Sequence, residues 1–140
     1  LDLPHPAFSD IGFLNFFMRL ASGKDTVVLV FGGSETAGAD CDTPAGEHGK
    51  ECAWSAQLEK WFHQFAPHVK VMNLALAATT SKMLLPLLGA YSTRKPDLVI
   101  LDYLVNDAVD DYAVPGVNHT QGSLQFLSTI YEQILRTVSE

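Results

Sequence analysis

Thr26-Val27-Val28-Leu29-Val30-Phe31 runs without a break into Gly32-Gly33-Ser34-Glu35-Thr36-Ala37-Gly38. An uninterrupted β-branched and apolar run of this kind is the pattern of a strand buried on both faces, which places it in a parallel sheet covered by helices on either side. Two further runs read the same way, Val69 to Ala75 and Asp97 to Tyr103. Around them lie segments with helical spacing. Ser9 or Asp10 caps a first helix with Phe13, Phe16, Phe17 and Leu20 on its apolar face, ending near Ser22-Gly23. A second runs from Cys52 to Phe65, marked by Trp54, Leu58, Trp61, Phe62 and Phe65 and stopped by Pro67; its aromatic residues read as core rather than as the lining of a sugar cleft. The hydroxyls of Thr79-Thr80-Ser81 cap a third, which carries Met83, Leu84, Leu87 and Leu88 and is expected to be short or irregular because of Pro86. Ser123 caps a last helix whose buried side runs from Leu124 to Val138.

Strand and helix thus alternate at crossover lengths, and the expected fold is α/β, a three-layer αβα arrangement around a parallel sheet. The 140 residues suffice for one domain. Open sheets usually carry about four to six strands, so residues 1–140 are expected to form a single domain cut short after its third strand and the helix that follows. A first residue Leu1 in place of Met agrees with a processed chain or a piece of a longer one.

Composition narrows the partners. Apolar residues make up 47% and charged residues 18%, which excludes a disordered chain. Nine basic and 16 acidic residues leave a net charge of −7, and the only adjacent basic pair is Arg94-Lys95, so neither nucleic acid nor an anionic membrane is expected. The apolar runs are far shorter than the roughly 20 residues of a membrane span, and Ile11 to Ala21, broken by Arg19, does not read as a signal peptide. Cys41 and Cys52 flank a polar loop without zinc-ligand spacing, and two separate thiols or a loop-closing disulfide are both open. Asp107, Asp110 and Asp111 lack the spacing of a calcium loop. No cofactor or metal is expected. The two cysteines and the glycosylation sequon Asn118-His119-Thr120 favour a secretory compartment or the cell exterior.

In parallel α/β sheets ligands bind outside the carboxyl ends of the strands. Those ends carry Gly33-Ser34, the stretch from Ala75 to Ser81, and Asn106-Asp107. A serine at a glycine-flanked turn exposes its hydroxyl, and at a helix N-terminus its own amide points toward developing negative charge. An amide from Ala77-Ala78 and the Asn106 side chain complete three donors suited to a tetrahedral oxyanion. Ser34 as a simple helix cap, Asn106 as a turn residue and Asp107 as a structural residue are the ordinary alternatives.

Gly32-Gly33-Ser34-Glu35-Thr36-Ala37-Gly38, Asn73 through Thr79-Thr80-Ser81, and Val105-Asn106-Asp107 resemble, in order and spacing, the first three blocks of the SGNH (GDSL-type) hydrolases. The resemblance covers roughly residues 26 to 110. It implies a flavodoxin-like sheet and a serine esterase, lipase or carbohydrate O-acetyl esterase acting on a small-molecule or carbohydrate ester. Ser34 is then nucleophile and oxyanion amide, Ala78 an oxyanion amide, and Asn106 the oxyanion side chain. Two positions depart from the pattern: Gly33 stands where the family has Asp, and Ala78 where it has Gly. The family's Asp and His belong to a DxxH segment near the C-terminus, and no DxxH follows Asn106. Of the five histidines only His119 falls near the end of the third strand, where its ordinary reading is a solvated loop histidine beside a possible glycan and its alternative reading a base. Without a base in reach a serine hydroxyl is a poor nucleophile, so the chain alone is expected to be nearly inactive. Two alternatives differ in kind: a flavodoxin-like FMN-binding protein, in which the Ser34 loop holds a phosphate, and a non-catalytic SGNH-like binding module.

Overall fold

The computed structural model describes residues 10–44, 46, 48–92, 95–103 and 105–107. Its helices are α1 (Asp10–Ala21), α2 (Trp54–Phe62) and α3 (Ser81–Ser92), and its strands β1 (Thr26–Gly32), β2 (Val69–Asn73) and β3 (Leu98–Asp102). The strands form an open, all-parallel sheet in the order β2-β1-β3. This is a flavodoxin-like α/β arrangement, as the buried run at Thr26 requires. The helix expected after Ser123 and the loop histidine His119 lie outside the described residues.

Alternation along β1 divides the core into two layers. Val28 and Val30 pack with Phe16 of α1 and with Phe62, Ala66 and Val69, whereas Leu29 and Phe31 pack on the opposite face with Leu84 and Leu88 of α3 and with Tyr103. β1 is buried because it is central, while every residue of β3 is half-buried. Register carries the chemistry: Val30 lies opposite Asn73, and Gly32 opposite Asp102.

Three expectations shift. α3 is a continuous helix of 12 residues with Pro86 inside it. Pro86 lacks an N–H for the preceding turn but sits on the exposed side, while Leu84 and Leu88, one turn apart, anchor the helix in the core. α2 is shorter than its apolar pattern. Leu58 and Phe62 face the core, but Trp61 and Phe65 meet edge to face with ring centroids 4.8 Å apart and are 52% and 54% exposed, so the aromatic stripe is core only in part. Of the open readings for the cysteines, the disulfide is the one present: Cys41 bonds Cys52.

The amino ends of the strands are closed by polar contacts. Asp97 accepts hydrogen bonds from the Val27 amide at 2.8 Å and from Arg19 Nε at 2.7 Å, and Arg19 Nη2 also reaches the Asp25 carbonyl. His63 and His68 bind the carbonyls of Val69 and Leu20 through Nε2. Both histidines therefore tie down the start of β2, the end of the sheet remote from Ser34.

Candidate active site

The turn after β1 is wound tightly. Ala37 N donates to Gly33 O, Gly38 N to Glu35 O and Ala39 N to Ser34 O, all at about 3.0 Å. The expected helix N-terminus at Ser34 is not formed: residues 34–40 are consecutive turns, and the left-handed backbones of Gly38 (φ 78°) and Asp40 (φ 61°) prevent a helix from propagating. Gly38 also needs to be glycine because a Cβ there would meet the Gly49 carbonyl of the disulfide loop. Ser34 consequently caps no helix. Among the described residues nothing accepts its N–H and nothing pairs with its half-buried hydroxyl.

The loop after β2 stays attached to the end of β1. Leu74 N donates to Val30 O at 2.8 Å and Leu76 N to Gly32 O at 3.2 Å, extending the parallel ladder past Asn73. Thr79 Oγ1 donates to Leu76 O at 2.6 Å and approaches Gly32 O. Ala78 lies between these anchors with φ 58°, the left-handed conformation that glycine adopts without strain. Among the described residues no acceptor takes the Ala78 N–H.

At the third strand end Asn106 and Asp107 separate into two roles. Asp107, only 2% exposed, accepts the Ser81 N–H at 2.8 Å and so caps α3 from another loop. The hydroxyls of Thr79-Thr80-Ser81 do not provide that cap as expected; Ser81 Oγ is buried with no partner among the described residues. Among the described residues no turn backbone group pairs with the Asn106 side chain. Its carboxamide lies against Gly33, filling the space that a Cβ would occupy there. Gly33, having no Cβ, is thus the residue that lets Asn106 reach the turn that carries Ser34. The Asn106 carboxamide is brought against Gly33, the residue before Ser34, and the loop carrying Ala78 is tied to the preceding Gly32 through Leu76 and Thr79.

A polar frame surrounds these three residues. Thr36, 1% exposed, donates through Oγ1 to Asp102 Oδ2 at 2.7 Å. Asn73 donates through Nδ2 to the Thr36 carbonyl at 2.6 Å and to Ser55 Oγ at 2.8 Å, and accepts the Ala75 N–H at 3.0 Å. The sequence pattern marks Asn73 only as the start of a block and gives Asp102 no role. The signal for both is their place as the last residues of parallel strands, where register sets Asn73 opposite Val30 and Asp102 opposite Gly32, at the end of β1 that leads into the Ser34 turn.

No base contacts Ser34 among the described residues. His48 Nδ1 pairs with Asp42 Oδ1 at 2.6 Å on the exposed disulfide loop, and no hydrogen bond joins the pair to Ser34. One Asp-x-x-His does occur in the chain, Asp2-Leu3-Pro4-His5, ahead of α1 rather than after Asn106. Like His119 it lies outside the described residues. Among those described, no group of His, Cys, Asp or Glu could hold a metal ion, and no helix is long and apolar enough to cross a membrane. No protein-family model, curated protein or solved structure matches this chain.

Proposed function

We propose that this chain carries the nucleophile and oxyanion donors of an SGNH-type serine hydrolase acting on carboxylic esters, of small molecules or carbohydrates. The observation that carries the reading is the set of uncommitted donors at the carboxyl ends of the strands. The Ser34 and Ala78 amides have no acceptor among the described residues, and the Asn106 carboxamide is pressed against the same turn. Ser34 is half-buried and Ala78 exposed, so both amides are open to an incoming oxygen, as an oxyanion site requires.

Ser34 Oγ adds to the ester carbonyl carbon, and its proton passes to a general base. The carbonyl oxygen, now negative, accepts hydrogen bonds from Ser34 N, Ala78 N and Asn106 Nδ2. Collapse expels the alcohol, which takes a proton from the base, and water then releases the acid from the acyl-enzyme. His63 and His68 are held by backbone carbonyls at the far end of the sheet. A base supplied from within residues 1–140 is therefore sought first at His119 and His5.

The alternative of a phosphate-binding loop for FMN is less well served. One of its two hydroxyls, that of Thr36, is buried and donated to the Asp102 carboxylate, and a carboxylate under the loop opposes an anionic ligand.

Labelling the native polypeptide with a fluorophosphonate and mapping the modified peptide tests the proposal. The adduct is expected on Ser34 and absent in Ser34→Ala; a native protein that takes no label would favour a binding module instead.

A further inference from the structure

We propose that Thr36 and Asp102 form a positioning pair that sets the distance between the Ser34 turn and Asn106; this rests on the ester-hydrolase reading of the site. Thr36 is the residue at which the strand ends meet. Its hydroxyl donates to Asp102 Oδ2 at 2.7 Å, at the end of β3, and its carbonyl accepts from Asn73 Nδ2 at 2.6 Å, at the end of β2. The Gly33 N–H adds a backbone bond to the Asp102 carbonyl at 3.3 Å. Asp102 is thus bound twice by the turn that carries Ser34, through side chain and through backbone, and the chain leads directly from it to Asn106.

The fit is tight on both sides of this link. A Cβ on Gly32 would overlap the Thr36 side chain and the Asp102 carbonyl, and one on Gly33 would overlap the Asn106 carboxamide. Two consecutive glycines let the third strand end close onto the first, and the hydroxyl-to-carboxylate bond holds it there. A hydrogen bond to an ionised acceptor is short and directional, so it fixes position better than apolar contact of the same volume. Thr36 is too deeply buried to touch a substrate. Its influence on the reaction passes through the placement of Asn106 and Ser34.

The test compares Thr36→Val, which keeps the shape and removes the hydroxyl, with Thr36→Ser, which keeps the hydroxyl. In the native polypeptide, hydrolysis of p-nitrophenyl acetate by Thr36→Val is expected to lose about 10- to 100-fold in kcat, with KM changed by no more than about twofold. Thr36→Ser should recover most of that loss. The side-chain ¹H–¹⁵N signals of Asn106 should move in Thr36→Val and stay near their native positions in Thr36→Ser. Native kcat together with unmoved Asn106 signals in a folded Thr36→Val protein would overturn the proposal. Should Thr36→Val not fold, Asp102→Asn, which keeps an acceptor but removes the charge, takes its place: lower kcat with shifted Asn106 signals supports the pair, and native values of both overturn it. A native protein that neither hydrolyses esters nor labels at Ser34 overturns the catalytic reading, while the Asn106 signals still decide the link: movement in Thr36→Val supports it, and none overturns it.

Discussion

The two ends of the sheet are built on opposite principles. At the amino ends of the strands polar groups find partners: Asp97 holds both Arg19 and the Val27 amide, and His63 and His68 each bind a strand or helix carbonyl. At the carboxyl ends an equally ordered polar frame is made by Thr36, Asn73, Asp102 and Asp107, and among the described residues no acceptor takes the Ser34 and Ala78 amides. The contrast separates polar groups that hold the fold from donors that find no partner among the described residues and that the proposed reaction would use.

Substitutions at each end should break this contrast in different ways. The largest effect is expected at Asn106. Removing its carboxamide in Asn106→Ala should lower ester turnover in the native polypeptide by about 10²–10³-fold, the usual weight of one oxyanion donor. Steady-state kinetics with a soluble ester measures this, and little change in melting temperature should accompany it.

Next comes Gly33→Asp, which introduces the residue that the proposed SGNH-type reading would place there. Because the Asn106 carboxamide occupies the space of the new Cβ, the substitution should destabilise the protein by about 1–3 kcal/mol and reduce turnover rather than improve it. Denaturant unfolding and the same ester assay check both parts.

At the opposite end, Asp97→Ala removes the acceptor of the Val27 amide and of Arg19. A stability loss of about 1–2 kcal/mol is expected, tempered because Arg19 is partly exposed. Fluorophosphonate labelling of Ser34 in the folded protein should proceed at the native rate. This pairing of lower stability with unchanged labelling is the mirror image of Asn106→Ala.

The smallest effect concerns Ala78. Its left-handed backbone, φ 58°, costs an alanine about 1–2 kcal/mol, part of which a glycine forfeits through greater freedom in the unfolded chain. Ala78→Gly should therefore raise stability by about 0.5–1 kcal/mol in thermal unfolding.

Much of this frame is legible along the chain. Thr26 to Phe31 and its two counterparts declare buried parallel strands, and Gly33-Ser34, Ala78 and Asn106-Asp107 stand at their ends because strand periodicity puts them there. What stays hidden depends on register and on contacts between loops. Nothing local to Asp102 marks it as the partner of Thr36; only the pairing of Gly32 with Asp102 brings them together. The capping of α3 by Asp107 is hidden for the same reason, since nearby hydroxyls look like sufficient caps. Trp61 departs from its expected place in the core because a helical stripe has edges: Phe62, one residue on, is buried, while Trp61 at the margin is exposed. The close approach of Asn106 requires the missing Cβ of Gly33, a constraint that nothing local to Gly33 announces.

The central claim is that Ser34 N, Ala78 N and Asn106 Nδ2 converge on one oxygen. The most direct measurement is a ¹H–¹⁵N titration of the native polypeptide with phenylboronic acid, whose tetrahedral adduct on Ser34 presents an oxygen where the oxyanion would form. The Ser34 and Ala78 amides and the Asn106 carboxamide are predicted to shift together along one saturation curve, while the Val27 amide bound to Asp97 stays still. A titration in which these three signals stay still, or shift with unrelated midpoints, would contradict the claim.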